Sequence, residues 1–207
     1  MRHLVIAAVL LAGAAQAQPA HDATWPCVQR KQPVLSLAQV WTGPAPDQAA
    51  QELARDPAIH ALAAQLVLRR IPMDQAEAMI AGFAADADNT RLTALMQAAF
   101  DLIQPERAAM IEGIARYGVR QVELTQKIND RRATMAALES ADPPDFDAID
   151  EAERALDWDQ RIFDERRQSL TYVCETPVIM EQRAFALGRA IAGHLDQPQG
   201  GVAGGDG

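Results

Sequence analysis

The sequence predicts an all-α protein: a secreted helical domain with a long, coiled-coil-like antiparallel hairpin and an N-terminal extended arm tied down by one disulfide. Three observations support this class. Apolar residues recur every seven positions in two long segments, runs of β-branched residues are nearly absent, and the chain contains two cysteines. Helical periodicity with so few strand signals favours helices throughout.

The first 17 residues have the organisation of a secretory signal peptide. Two basic side chains, Arg2 and His3, precede an apolar run over 4–12, and Ala15-Gln16-Ala17 forms an A-x-A site. The apolar run is too short to span a membrane as a helix. We therefore expect cleavage between Ala17 and Gln18 and a periplasmic or secreted mature protein.

The chain is acidic, and this restricts its partners. Its 19 basic and 28 acidic residues give a formal net charge of −9. Nucleic acid and anionic lipid are therefore poor candidates for a main partner. No later segment is apolar enough to predict a membrane span.

Residues 18–46 read as an extended, proline-rich arm. Ser36 and Gln39 have the spacing of a capping box, which predicts a one-turn helix ending near Trp41. Trp25 and Trp41 are large enough to anchor the arm on the helical domain.

A helical domain is predicted over 47–195. A short helix is expected from Asp47 to Arg55, and Asp56-Pro57 opens a second helix to about Arg70. A third helix is predicted over 74–85. Asn89 is a candidate cap for a fourth over 90–103.

The hairpin is predicted at about 105–175, starting at Gln104-Pro105, with its turn at 141–147 around Pro143-Pro144. Its first helix has two rows of residues spaced by seven: Met110, Tyr117, Leu124, Arg131, Leu138 and Ile114, Gln121, Ile128, Met135. The return helix repeats this spacing with Ile149, Leu156, Phe163, Leu170 and Ala152, Asp159, Arg166, Val173.

A short loop makes the two helices antiparallel neighbours, roughly 45 Å long for about 30 residues each. Leu138 is then expected near Ile149, and Leu124 near Phe163. Thr176-Pro177 is expected to restart a final helix to about Leu195, followed by a disordered tail over 196–207.

Four polar residues interrupt the predicted seams: Gln121, Arg131, Asp159 and Arg166. Polar seam residues can fix the register of paired helices at some cost in stability. The alternative is a polar groove that faces a partner.

Cys27 and Cys174 are predicted to form a structural disulfide, because two cysteines in an oxidising compartment most simply pair. Two free thiols or an intermolecular bridge are the alternatives. The bridge would close a loop of roughly 150 residues, which chain-entropy models value at about 5 kcal/mol.

The sequence contains no GxSxG, HExxH, P-loop, GxGxxG or CxxCH motif, so we predict no catalytic, cofactor or metal residues. The acidic turn is the densest polar feature, and its main interpretation is a solvated helix start favoured by the helix dipole. Weak cation binding is one alternative, and docking of a basic partner is another, with Asp145, Asp147, Asp150 and Glu151 as candidate docking residues. Trp25 and Trp41 are further docking candidates.

These features favour a non-enzymatic periplasmic assembly protein that presents its hairpin to a protein partner, with homodimerisation possible through the hairpin. An enzyme with a site assembled from scattered acids is one alternative. Another is a stress- or metal-responsive protein, because the hairpin shape resembles the CpxP/Spy periplasmic family. Leu102 to Arg107 is similar to the proline-initiated helix starts of that group, whereas its LTxxQ motif is not reproduced at Leu92-Thr93 or Leu124-Thr125.

Overall fold

The structure, a computed structural model, describes residue 22 and residues 24–196. Its helices, in chain order, are α1 (Leu37–Val40), α2 (Gln48–Leu53), α3 (Pro57–Leu66), α4 (Met73–Ala84), α5 (Asn89–Glu139) and α6 (Phe146–Ala192). No strand occurs among these residues, so the predicted all-α class is confirmed.

The helix starts follow the predicted capping chemistry. Asp47, Asp56 and Asp145 each accept a hydrogen bond from a backbone N–H in the first turn of α2, α3 and α6. The predicted cap of α5 was one residue off, because Asp88 accepts from the Arg91 N–H and Asn89 is already helical. In α1, the Gln39 side chain accepts a 2.8 Å hydrogen bond from the Ser36 N–H.

Two predicted helix boundaries are wrong, since Pro105 lies inside the 51-residue α5 and Pro177 inside the 47-residue α6. A proline removes one helical hydrogen bond and costs about 3 kcal/mol in a helix interior. The carbonyls that lose their donors belong to Asp101 and Val173, which both lie on exposed sides of their helices. Packing around the prolines keeps each helix continuous, so both helices are longer than predicted.

The main core joins α1–α4 to the start of α5 and the end of α6; we call this part the body. Its largest fully buried side chains are Ile59, Leu66, Ile80, Leu92, Leu95, Met96, Leu187 and Ile191. α3 ends at Leu66, short of the predicted Arg70. Arg183 of α6 donates to the Leu66 carbonyl at 2.8 Å and so supplies a cationic cap to α3.

The remainder of α5 and α6, from about 104 to 177, forms an antiparallel pair that we call the stalk. Arg107 bonds Glu181 near its base, and Arg131 bonds Asp159 further out. Moving outward along the stalk, residue numbers rise on α5 and fall on α6. The two residues of each bonded pair are nearly the same number of residues away from the Pro143-Pro144 loop. This is the predicted register.

The predicted seam holds in the outer stalk and shifts near the base. Gln121 and Ile128 of the outer stalk are buried as expected, and so is Ile114 at the base, whereas Met110 and Val173 at the base are exposed. Buried residues at the base are instead Ile111, Gly118, Cys174 and Pro177. The seam shifts there because the arm covers one side of the helix pair.

The arm runs along the stalk base toward the body in the direction opposite to α5. Gln104 donates to the Pro33 carbonyl at 3.1 Å and accepts from the Leu35 N–H at 3.2 Å. Arg107 donates to the Gln32 carbonyl at 2.9 Å. Side chains of α5 therefore hold the arm by its backbone.

Two helical glycines mark where the arm touches the helices most closely. A Cβ at Gly118 of α5 would lie 1.8 Å from the Thr24 carbonyl oxygen, and a Cβ at Gly188 of α6 would lie 2.0 Å from the Val40 oxygen. Glycine costs up to about 1 kcal/mol relative to alanine inside a helix. These two positions need it because only glycine leaves room for the arm backbone.

Some sequence predictions fall outside the described residues. They are the signal peptide at 1–17, the first residues of the arm and the tail from residue 197. Within the described part of the chain, no helix is long and apolar enough to cross a membrane.

The contact at Gly118 predicts opposite effects for two alanine substitutions in one helix. Gly118→Ala should destabilise the protein by about 2 kcal/mol or more, because the new methyl group displaces the arm backbone. Gly113→Ala is the matched control, since its Cβ would meet only Arg116 Nη2, at 3.8 Å. It should be neutral or stabilise by up to about 1 kcal/mol.

Urea unfolding measured by circular dichroism checks both values. Equal stability of the two variants would show that the arm does not pack against Gly118.

Candidate functional site

The predicted disulfide is present and joins the arm to the stalk base. Cys27 and Cys174 are bonded, with Cα atoms 5.6 Å apart. Both cysteines are buried, and they pack with Ile114, Trp25 and Leu170 in a small second core. The bridge therefore fixes the arm against both stalk helices at once.

The two tryptophans have different surroundings. Trp25 is half-buried against the disulfide core, and its Nε1–H donates to the Gln29 carbonyl at 2.6 Å. Trp41 is 6% exposed in the main core, and its Nε1–H donates to the Pro44 carbonyl at 2.7 Å. Both anchor the arm, but the burial of Trp41 removes it from the candidate docking surface.

The acidic turn lies at the far end of the stalk, which we call the tip. Asp147, Asp150 and Glu151 are exposed, and none of them forms an ion pair with any residue that the structure describes. Asp145 is also exposed, but its carboxylate accepts from the Ala148 N–H at 3.1 Å and caps α6. Between them, Phe146 is 72% exposed. The tip therefore presents an exposed aromatic ring within five residues of these carboxylates along α6.

Asp159 is the buried charge of the stalk, and its residue is 3% exposed. Its two carboxylate oxygens accept from Lys127 Nζ at 3.0 Å and from Arg131 Nε at 2.6 Å. Burial raises the pKa of Asp159, but the hydrogen bonds and charges of these two cations outweigh it and leave the pKa below its ordinary value. Asp159 is enclosed between the helices, which favours register control over a groove facing a partner.

Arg107 is the functional candidate that the sequence analysis missed. It is 4% exposed, and it bonds the arm at Gln32 and α6 at Glu181 from its place on α5. Its position gives a signal, because Arg107 falls in the buried row that contains Ile103, Ile111 and Ile114. An arginine inside such a row indicates that its guanidinium has a buried hydrogen-bond acceptor.

No group of three or more His, Cys, Asp or Glu side chains in residue 22 and residues 24–196 is placed to hold a metal ion. The chain matches no known family, and neither a curated protein nor a solved structure is significantly similar to it. The similarity to CpxP/Spy helix starts also loses its basis, since Pro105 begins no helix.

Asp159 should make stability depend on pH. Asp159→Asn should destabilise the protein by about 1.5–3 kcal/mol at pH 7, because the variant loses two charge-assisted hydrogen bonds. The pKa of Asp159 is lower in the folded state, so its contribution is complete above the ordinary value of 3.8 and disappears as pH falls through the folded-state pKa.

Urea unfolding at pH 7 and across the acid range measures this difference. Asp157→Asn, an exposed change two residues away, is the control and should cost less than about 0.5 kcal/mol. The difference in unfolding free energy between wild type and Asp159→Asn should become smaller in acid. If it does not, Asp159 is not the group that makes stability depend on pH.

Proposed function

We propose that this chain is a non-enzymatic interaction protein of the periplasm that presents the tip of its stalk to a basic protein partner. The observation that carries the proposal is that Phe146 is exposed at the start of α6, in the same two helical turns as the exposed carboxylates of Asp147, Asp150 and Glu151. Protein interfaces commonly place an aromatic anchor inside a polar rim.

The compartment is inferred from two independent features. The Cys27–Cys174 bridge fits a non-cytoplasmic protein, since disulfides persist in oxidising environments. The first 17 residues of the sequence have signal-peptide organisation.

The construction of the stalk supports a presenting role. From Ile114, beside the disulfide, α5 continues to Glu139, which corresponds to about 38 Å of helix. Asp159 and its two cations hold the helices in register along this length. The tip therefore extends away from the body, where a partner can approach it without contacting the main core.

The charge of the tip indicates which partner is suitable. Two acidic tips repel each other, so a second copy of the chain is a poor occupant of this surface. A basic surface would be attracted and would associate faster. Homodimerisation through the sides of the stalk remains a separate prediction.

The test reverses the charge of the tip without disturbing its fold. Asp147, Asp150 and Glu151 are changed together to lysine, while Asp145 is kept because it caps α6. A photo-crosslinker at Phe146 first identifies the bound protein in periplasmic extract. The association rate of that protein with the purified variant should then fall at least about tenfold at low salt, and the difference should shrink as salt rises.

The matched control reverses three exposed acids of the body and lower stalk, Glu77, Asp86 and Glu106. This control changes the net charge by the same amount as the tip variant, and its association rate should stay much closer to that of wild type. If both triple variants lose association rate equally, the effect comes from net charge and not from the tip. Unchanged binding of the tip variant at low salt would exclude the tip from the interface.

A further inference from the structure

The arm leaves the stalk surface between Cys27 and Gln32 and borders an open cleft of about 380 Å³. The arm is attached to the stalk at both ends of this stretch, by the Cys27–Cys174 bridge and by the hydrogen bond from Arg107 to the Gln32 carbonyl. Between them, residues 28–31 are exposed. The cleft is therefore bounded by the arm on one side and by α5 and α6 on the other.

One residue of the cleft lining carries an unsatisfied buried donor. Arg107 lines it, and the Nε–H of Arg107 has no hydrogen-bond partner within the part of the chain that the structure describes. The Nη atoms of the same guanidinium are used by Gln32 and Glu181. A buried donor without an acceptor costs about 1–3 kcal/mol, and a ligand acceptor that displaced the surrounding side chains and reached it would recover this cost.

The lining has an amphipathic character. Trp25 and Phe185 supply aromatic surface, while Ile111, Pro177 and Val178 supply aliphatic surface. The charged residues of the lining are Arg30, Arg107 and Glu181, so the cleft carries an excess of one positive charge in a chain of net charge −9.

We propose that this cleft binds a small organic acid, with its carboxylate at Arg107 and Arg30 and its flat apolar part between Trp25 and Phe185. Arginine pairs well with carboxylates, because its planar group offers several donors in a fixed geometry. Ligand clefts of roughly 300–1,000 Å³ accept small molecules, and this one lies at the small end. The site is independent of the tip and of any protein partner there.

The test uses phenylacetate as the probe, since it combines one carboxylate with one aromatic ring. Phenylacetamide is the matched control ligand, with nearly the same shape and no charge. Both are titrated into the full oxidised protein by calorimetry and by NMR of the arginine Nε–H resonances. Loss of one resonance in Arg107→Lys assigns the Arg107 signal.

Phenylacetate should bind saturably, shift the Arg107 Nε–H resonance with the same dissociation constant as calorimetry, and bind at least about tenfold more tightly than phenylacetamide. Arg30→Gln and Phe185→Ala change side chains at the exposed edge of the cleft and should each weaken binding by about threefold to tenfold. Arg120→Gln, an exposed arginine outside the cleft lining, should leave binding unchanged.

Several results would overturn the proposal. They are an unchanged Arg107 resonance at about 20 mM phenylacetate, equal responses to both ligands, or wild-type affinity in Arg30→Gln and Phe185→Ala. These two variants keep the test decisive if Arg107→Lys does not fold. Loss of tip binding in the charge-reversal experiment has no bearing on this result.

Discussion

Arg107 joins the three elements on which the stalk base depends. From α5 it bonds the Gln32 carbonyl of the arm and the Glu181 carboxylate of α6. A buried guanidinium is costly to desolvate, so this position is stable only while both acceptors stay in place. The arm and α6 are thus coupled through one side chain, close to the disulfide that joins the same two elements covalently.

The same region shows tertiary packing prevailing over local propensity. Pro105 and Pro177 lie on either side of Arg107 in the paired helices, and each would end a helix that stood alone. Ile103 and Ile111 are buried around the first proline, and Cys174 is buried beside the second. Most helical stability in proteins comes from such packing, which explains how α5 and α6 continue through both sites.

Features that depend on nearby residues could be predicted from the sequence. The aspartate caps, the register about Pro143-Pro144 and the outer seam follow from spacing along the chain. The disulfide was predicted from the cysteine count and from the oxidising compartment that the first 17 residues led us to expect. The packing of the arm could not be predicted, because nothing local to Gly118 or Arg107 shows that Thr24 and Gln32 lie against them. Trp41 was assigned two roles, anchor and docking residue, and only its burial in the fold distinguishes them.

The spacing of the two cysteines also determines the order of assembly. Cys27 and Cys174 are 147 residues apart, so nearly the whole body and stalk are synthesised between them. Cys27 therefore has no partner within its own chain until Cys174 has been synthesised. Because the chain has no third cysteine, a wrong pairing within one molecule cannot occur. The hazard is instead a bridge between two molecules, so pairing between molecules, rather than disulfide shuffling within one, is the way in which oxidation can fail.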